Sequence, residues 1–342
     1  KNQDDYEFDR SRPGLYNPYE HTTEVAGFRG GWTGSPHSDI QWSVSADVFA
    51  DGIDSTSLTH SFQSRTYRQL KAHATAPTWW RSLSTSASLS WFDTNRNRSA
   101  LDSALQFSWD LSSAGSAQSR HLTLEYSSSS QVSGYTAIGS APSGLFAGNA
   151  SLDTERSHNL ELAYSWSSAQ TTLQFAGFLR QDRDLTDWTF SFSQPNARRA
   201  NEVDIDTIGF EFLMRHQWKQ SDLTLAYTHL HKRESYGSAQ VDASFYAMNF
   251  PRHRVTVSLV HPLHRKLELR LDGEYRNQEP NPLRRSTSEA WLAYLSLRWK
   301  PLEQLDWDLR LSVDNLFDSD YEEIPAVPAG KRQIAIQSSL RW

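Results

Sequence analysis

Leu267-Glu268-Leu269-Arg270-Leu271-Asp272-Gly273-Glu274-Tyr275-Arg276 alternates apolar or small residues with charged ones at every step. Successive side chains of a β-strand point to opposite sides. As a strand, this stretch turns Leu267, Leu269, Leu271 and Tyr275 to one face and Glu268, Arg270, Asp272, Glu274 and Arg276 to the other. The first face suits hydrocarbon; the second requires water.

The same alternation extends outward in about 15 segments, near 23–32, 40–48, 67–73, 83–91, 104–111, 120–126, 159–166, 173–179, 205–216, 223–229, 254–261, 267–275, 291–299, 305–313 and 333–342. Their connections alternate in length. Ser112–Ala117, Ser167–Ala169, Lys219–Asp222, Pro262–Lys266 and Lys300–Gln304 are short; Ser127–Asp153, Asp182–Asn201, Lys232–Arg252, Asn277–Ser288 and Asn315–Gly330 are long. Short turns on the periplasmic side and long loops outside characterise outer-membrane barrels. The expected fold is therefore all-β, a transmembrane antiparallel β-barrel, with residues 1–342 forming one domain. An odd strand count places residues 1–20 outside the cell, whereas complete bacterial barrels have even counts. The chain is accordingly expected to be the later part of a larger barrel, without the first strands.

Composition narrows the alternatives. Mean hydropathy is negative and no stretch reaches the roughly 18 apolar residues of a spanning helix. A barrel strand, however, crosses with about 9–11 residues, only every second one facing lipid. The formal net charge of −6 gives no basic footprint for nucleic acid. Cysteine is absent, which excludes disulfides and thiolate chemistry. The 13 Trp, 13 Tyr and 16 Phe supply rings of the kind that gather where membrane meets headgroups. No G-x-S-x-G elbow, phosphate-cradling loop or H-E-x-x-H occurs, so no enzymatic activity and no cofactor are expected.

Two motifs carry a resemblance. Asn315, Leu316, Phe317 and Asp318, then Tyr321, Pro328, Gly330, Lys331 and Arg332 and a final strand ending on Trp342, resemble the end of TonB-dependent outer-membrane receptors. Gly148, Asn149, Leu152, Glu155, Ser157, Asn159, Glu161 and Leu162 resemble a second segment of that family. Thr154 stands where the family usually has Pro, and the terminal residue is Trp rather than Phe. The resemblance implies a barrel of about 22 strands around a plug. It also implies uptake of a scarce large nutrient, such as a metal-siderophore complex or cobalamin, driven by the TonB complex through that plug. Neither plug nor TonB box is visible in these residues.

Candidate sites follow. Glu161, Arg180, Glu211, Arg215, Arg270, Asp272, Glu274, Arg298, Asp306, Asp308 and Arg310 take the polar parity of their strands and should face the lumen or plug, since charges facing lipid would cost a few kcal/mol each. Tyr135, Phe146, Trp188, Phe190, Phe192, Tyr236, Phe245 and Tyr246 lie in long loops and are candidates to grip ligand, with loop self-packing as the plainer reading. Trp188, Phe190 and Phe192 alternate with polar residues, so a strand rising above the membrane is the other reading. His229, His231, His253, His261 and His264 are read as a polar cap at the membrane edge rather than a metal site, and Asp4, Asp5, Asp182, Asp184 and Asp187 as solvated loop acids. A passive porin and a soluble β-rich binding protein with a sandwich core are the alternative functions.

Overall fold

A computed structural model describes residues 1–6, 19–37, 39–60, 62–78, 82–142, 146–244, 249–302, 306–325 and 327–341. The strands are β1 (Asn2–Tyr6), β2 (Tyr19–His37), β3 (Ile40–Ser55), β4 (Phe62–Pro77), β5 (Leu83–Thr94), β6 (Ala100–Asp110) and β7 (Ser119–Gln131), followed by helix α1 (Tyr135–Gly139). Next come β8 (Phe146–Ala147), β9 (Glu155–Ser167), β10 (Thr171–Ser191), β11 (Gln194–Trp218), β12 (Ser221–Ser235), β13 (Ala243–Ser244) and β14 (Pro251–His264). The last are β15 (Leu267–Gln278), β16 (Glu289–Trp299), β17 (Asp306–Asp314), β18 (Glu322–Ile324), β19 (Val327–Pro328) and β20 (Gln333–Arg341).

One sheet holds 18 of them. Apart from the two-residue strands β8 and β13, each pairs antiparallel with the next long strand in the chain, from β1 to β20. Each alternating segment of the sequence is a strand of this meander. Residues 1–20 are not simply an outer loop: β1 pairs with the start of β2, Asp4 opposite His21 and Asp5 opposite Glu20. Among the described residues β1 pairs only with β2, and β20 only with β17.

The register fixes the two faces. Leu271 stands opposite Leu259 and Leu295, and Asp272 opposite Ser258 and Tyr294, so each strand delivers its apolar set to the same side as its neighbours. That side is open: Leu162, Leu179, Ile208 and Leu311 are exposed. Leu269 and Leu309 are only partly buried, and no second sheet covers them. The sandwich core of the soluble alternative is therefore absent from the described residues. The apolar face also carries two aromatic rows. Trp109, Trp166, Trp218 and Trp299 lie beside the short turns, Tyr126, Trp91, Tyr275 and Trp291 towards the long loops. Such girdles mark the two interfaces of a membrane barrel.

Beyond the girdles the strands continue. Residues 182–201, read from sequence as a long loop or, through Trp188, Phe190 and Phe192, as a strand rising above the membrane, form a laddered hairpin of β10 and β11, from Leu185 opposite Val203 to Ser191 opposite Gln194. The strand reading of the alternation at Trp188, Phe190 and Phe192 is the one realised: Trp188 and Phe190 lie in β10, and Phe192 in the turn just after it. A register shift lies between Asp182 and Leu185, where Asp184 takes a positive φ of 54°, as bulged strands do when they bend. Close packing concentrates in this outer part: Ala200, Val203, Ile205 and Ala243 are almost fully buried. No helix among the described residues is long and apolar enough to cross a membrane.

Candidate functional site

The charged residues of the polar parity share one face. Glu161 stands opposite Glu125, Glu211 opposite Thr228, Arg215 opposite Thr224, and Arg310 opposite Arg298 and Gln337. Several neutralise one another locally: Arg270 with Asp272 at 2.6 Å, Arg298 with Asp308 at 3.1 Å, Arg254 with Glu274 at 3.0 Å and Arg341 with Asp306 at 3.4 Å. Arg180 joins the buried Asp182 at 2.8 Å. Arg276 also reaches Glu274 and, at 3.3 Å, Glu323. Arg29 with Asp47 extends the pattern to the first strands.

This polar face is the concave one, because a single loop bridges strands far apart on it. Residues 132–142 leave β7 and reach back to β3 and β4. The Tyr135 hydroxyl donates to Asp51 Oδ1 at 2.6 Å, Arg65 Nη1 donates to the Ser133 carbonyl at 2.7 Å, and the Arg65 guanidinium lies 4.0 Å from the Tyr135 ring centre. Thr59 N–H donates to the Gly139 carbonyl at 2.7 Å. In the other direction Ser133 meets Thr186 of β10 at 2.7 Å, and β8 pairs with Arg198 and Arg199 of β11. The loop thus crosses the outer opening. Burial, aided by the Asp51 carboxylate, pushes the Tyr135 phenol up, so it stays a donor at neutral pH.

Asp51 and Arg65 were not singled out from sequence. Both sit at polar-parity positions, directly opposite each other, but on parts of β3 and β4 beyond the alternating segments.

Beside the Ser133 anchor lies a cavity of about 610 Å³ on the polar face, lined by Glu155, Arg180, Asp182, Glu211, Thr228 and Lys232 among others. Burial lowers the Lys232 pKa and raises that of Glu155. Both changes favour the neutral forms in a partly dehydrated recess.

The loop aromatics are mostly engaged with the protein. Trp188 packs edge-on against Phe146 at 5.2 Å and against the Ala137, Leu152 and Ala200 cluster. Phe190 is 5% exposed. Tyr236 packs on Val203 and Ile205, and burial pushes its phenol up to about 12. Phe146 and Phe192 keep exposed rings. Phe245, Tyr246 and Trp342 lie outside the described residues. The acids expected in a loop after Asp182 belong to β10, with Asp187 almost fully buried.

Both sequence motifs serve folding. Asn315, at φ 47° and 5% exposed, donates from Nδ2 to the Ser319 and Gly330 carbonyls at 3.0 and 3.1 Å and accepts from Ser319 N–H at 2.9 Å. Asp318 accepts from Arg332 N–H, and Arg276 lies over the Tyr321 ring. Together they clamp the 315–332 connection. In the other motif Gly148 lets the backbone pass Ser140, whose nitrogen an added Cβ would approach to 2.7 Å, and Asn149 N–H donates to the Ala137 carbonyl at 2.7 Å.

The histidines lie on the apolar parity. His253 accepts or donates at 2.9 Å with the Tyr227 hydroxyl and stacks near His229, and His261 pairs with Ser221 at 2.7 Å. Among the described residues no group of three or more His, Asp or Glu could hold a metal ion.

Comparisons with known proteins agree with this architecture. The family described as TonB dependent receptor-like, beta-barrel matches residues 126–316. No curated protein matches the chain in sequence. Among solved structures, the FrpB iron transporter of Neisseria meningitidis superposes with a TM-score of 0.70 at 12% identity, over 94% of this chain and 55% of that one. The siderophore receptor PirA of Acinetobacter baumannii gives 0.71 at 13%, again over 94% and 55%. A mutant ferric enterobactin receptor of Pseudomonas aeruginosa, in complex with enterobactin, gives 0.72 at 13% over the same shares. The chain thus spans about 55% of the length of these structures.

Proposed function

Because the chain belongs to the TonB-dependent receptor β-barrel family, non-enzymatic transporters of the bacterial outer membrane, we propose that it forms much of the wall and mouth of a ligand-gated importer. In this reading a scarce, bulky nutrient, a metal-siderophore complex or cobalamin, is captured at the outer opening. A plug carried elsewhere in the full protein is then displaced by the TonB complex, and further strands pair with the edges of β1 and β20 that have no partner among the described residues, since unpaired edges are costly in hydrocarbon. The barrel contributes no bond chemistry. Arg270, Asp272, Glu274, Arg298 and Asp308 would hold the plug by exchanging their mutual ion pairs for contacts with it.

The observation that carries the reading is the polar concave face crossed at its outer end by residues 132–142 and 146–154, with the recess around Arg180 and Lys232 beside the crossing. Restricted entry suits selective capture better than free diffusion. The test is growth of a receptor-deficient strain bearing the full-length protein on iron-siderophores or cobalamin as the limiting source. Rescue by one class, lost when the TonB complex is disabled, is expected. Steady ion conductance of the full protein in planar bilayers, without rescue, would replace this reading by the porin.

A further inference from the structure

On the apolar face, level with the outer aromatic row, a cleft of about 540 Å³ opens between β7 and β12. Its inner half is aliphatic: Leu160, Leu179 and Ile208, each more than two-fifths exposed. Its outer half is polar and cationic, with His158, His231 and Arg233. The register places them in order. Leu160, Leu179 and Ile208 are successive cross-strand neighbours, and the next outward step brings His158 opposite Gln181 and Asp206 opposite Arg233. The change from grease to charge thus occurs within one cross-strand row.

The local acid does not satisfy the local bases. Asp206 is taken by Arg183 at 2.7 Å, leaving the Arg233 and His231 side chains with no hydrogen bond or ion pair among the described residues. His158 uses Nδ1 on the Tyr126 hydroxyl at 2.9 Å, which leaves Nε2 for a ligand. An exposed guanidinium without a partner is ordinary on a soluble surface. At the edge of a membrane, directly above three exposed aliphatics, it faces the headgroup layer.

We propose that this cleft binds one phosphorylated lipid of the outer leaflet, its acyl chains lying along Leu160, Leu179 and Ile208 and a phosphomonoester held by Arg233 with His231 and His158. The guanidinium fork matches phosphate oxygens two at a time, and the aliphatic wall adds acyl contact that a free anion would forgo. The side chains proposed to hold the lipid lie on the opposite face of the strands from the polar lining, although Arg180 and Thr207 border both cavities, so the site does not depend on which nutrient is imported.

The experiment uses the full-length protein purified in detergent, titrated with lipid A bearing both phosphates, with the same lipid dephosphorylated, and with phosphatidylcholine, and read by native mass spectrometry. Wild type should retain the phosphorylated lipid at least tenfold more tightly than the other two. The triple substitution His158→Gln, His231→Gln, Arg233→Gln should abolish that preference, Arg233→Lys should keep most of it, and Arg120→Gln, on the same face beside the short turns, should leave it unchanged. Heat-modifiable migration on gels reports folding; should the triple variant misfold, Arg233→Gln alone carries the test with a several-fold loss. Equal retention of phosphorylated and dephosphorylated lipid by wild type, or an undiminished preference in the folded triple variant or in folded Arg233→Gln, overturns the proposal.

Discussion

Replacing Tyr135 by Phe removes one hydroxyl from the contact that ties the crossing loop to β3. That hydroxyl donates to Asp51 Oδ1 at 2.6 Å, and hydrogen bonds to a charged partner contribute about 1.5–3 kcal/mol. The low end applies here: the ring is half-buried, and Asp51 keeps Arg65 at 3.3 and 3.4 Å and the Tyr67 hydroxyl at 3.3 Å, so no carboxylate is orphaned. A loss of about 1.5 kcal/mol multiplies the open population of the loop roughly tenfold. Hydrogen exchange followed by mass spectrometry should show peptides covering 133–140 exchanging about tenfold faster, the Ile138 and Ser140 amides among them, while the denaturant midpoint of the barrel stays in place. Unchanged exchange in that segment would mean that the hydroxyl does not hold the loop. An equal loss of protection in β9 or β15 would mean that the loop is part of the global fold rather than a separately opening strap.

The same phenol gives a pH dependence. Burial raises its pKa above the ordinary tyrosine value of about 10, so its contribution to loop closure is complete below that value and is lost as pH rises through the folded pKa. The difference in tyrosinate absorbance between wild type and Tyr135→Phe should therefore appear only on the alkaline side of ordinary tyrosine. On the membrane face, Leu162→Arg should cost about 2–4 kcal/mol in bilayer refolding, whereas Ala163→Arg, one residue on and facing water, should cost far less; equal costs would contradict the assignment of faces. Gly209 lies under the Phe178 ring, which an added Cβ would approach to 2.1 Å, so Gly209→Val should destabilise the barrel by about 1–3 kcal/mol in urea unfolding. Asn315→Ala should cost about 2–3 kcal/mol and expose residues 315–332 to proteases, because a Ser319 amide and two carbonyls lose their partner.

What could be read from sequence thinned out where the membrane ended. Alternation at 267–276 works because hydrocarbon penalises each misplaced charge, so the strands through the bilayer announce themselves. Once both faces of β10 and β11 are wet or packed on protein, that penalty is gone, so the alternation of Trp188 and Phe190 pointed to a strand without excluding a loop. The parity of Arg270, Asp272 and Arg298 was legible for the same reason, although their mutual pairing was not. Tyr135 and Asp51 are 84 positions apart, a meeting decided by loop shape. Asn2–Tyr6 is too short and acidic to read as a strand and is recruited by pairing with Tyr19–Thr23. The two motifs that carried the family resemblance turned out to be clamps for connections.

The hairpin of β10 and β11 has a mechanical corollary. With 21 and 25 residues against the about 9–11 needed to cross hydrocarbon, and about 3.3 Å per residue, it stands roughly 30 Å proud of the bilayer. It is laddered along most of its length and braced near the tip by β13 and β8, so a load on Phe192 meets first the register shift between Thr189 and Ser191 and then the irregular step beside Asp184. That lower step adjoins Asp182 and Thr186 of the recess, so a push carried past the upper shift would reach the recess there.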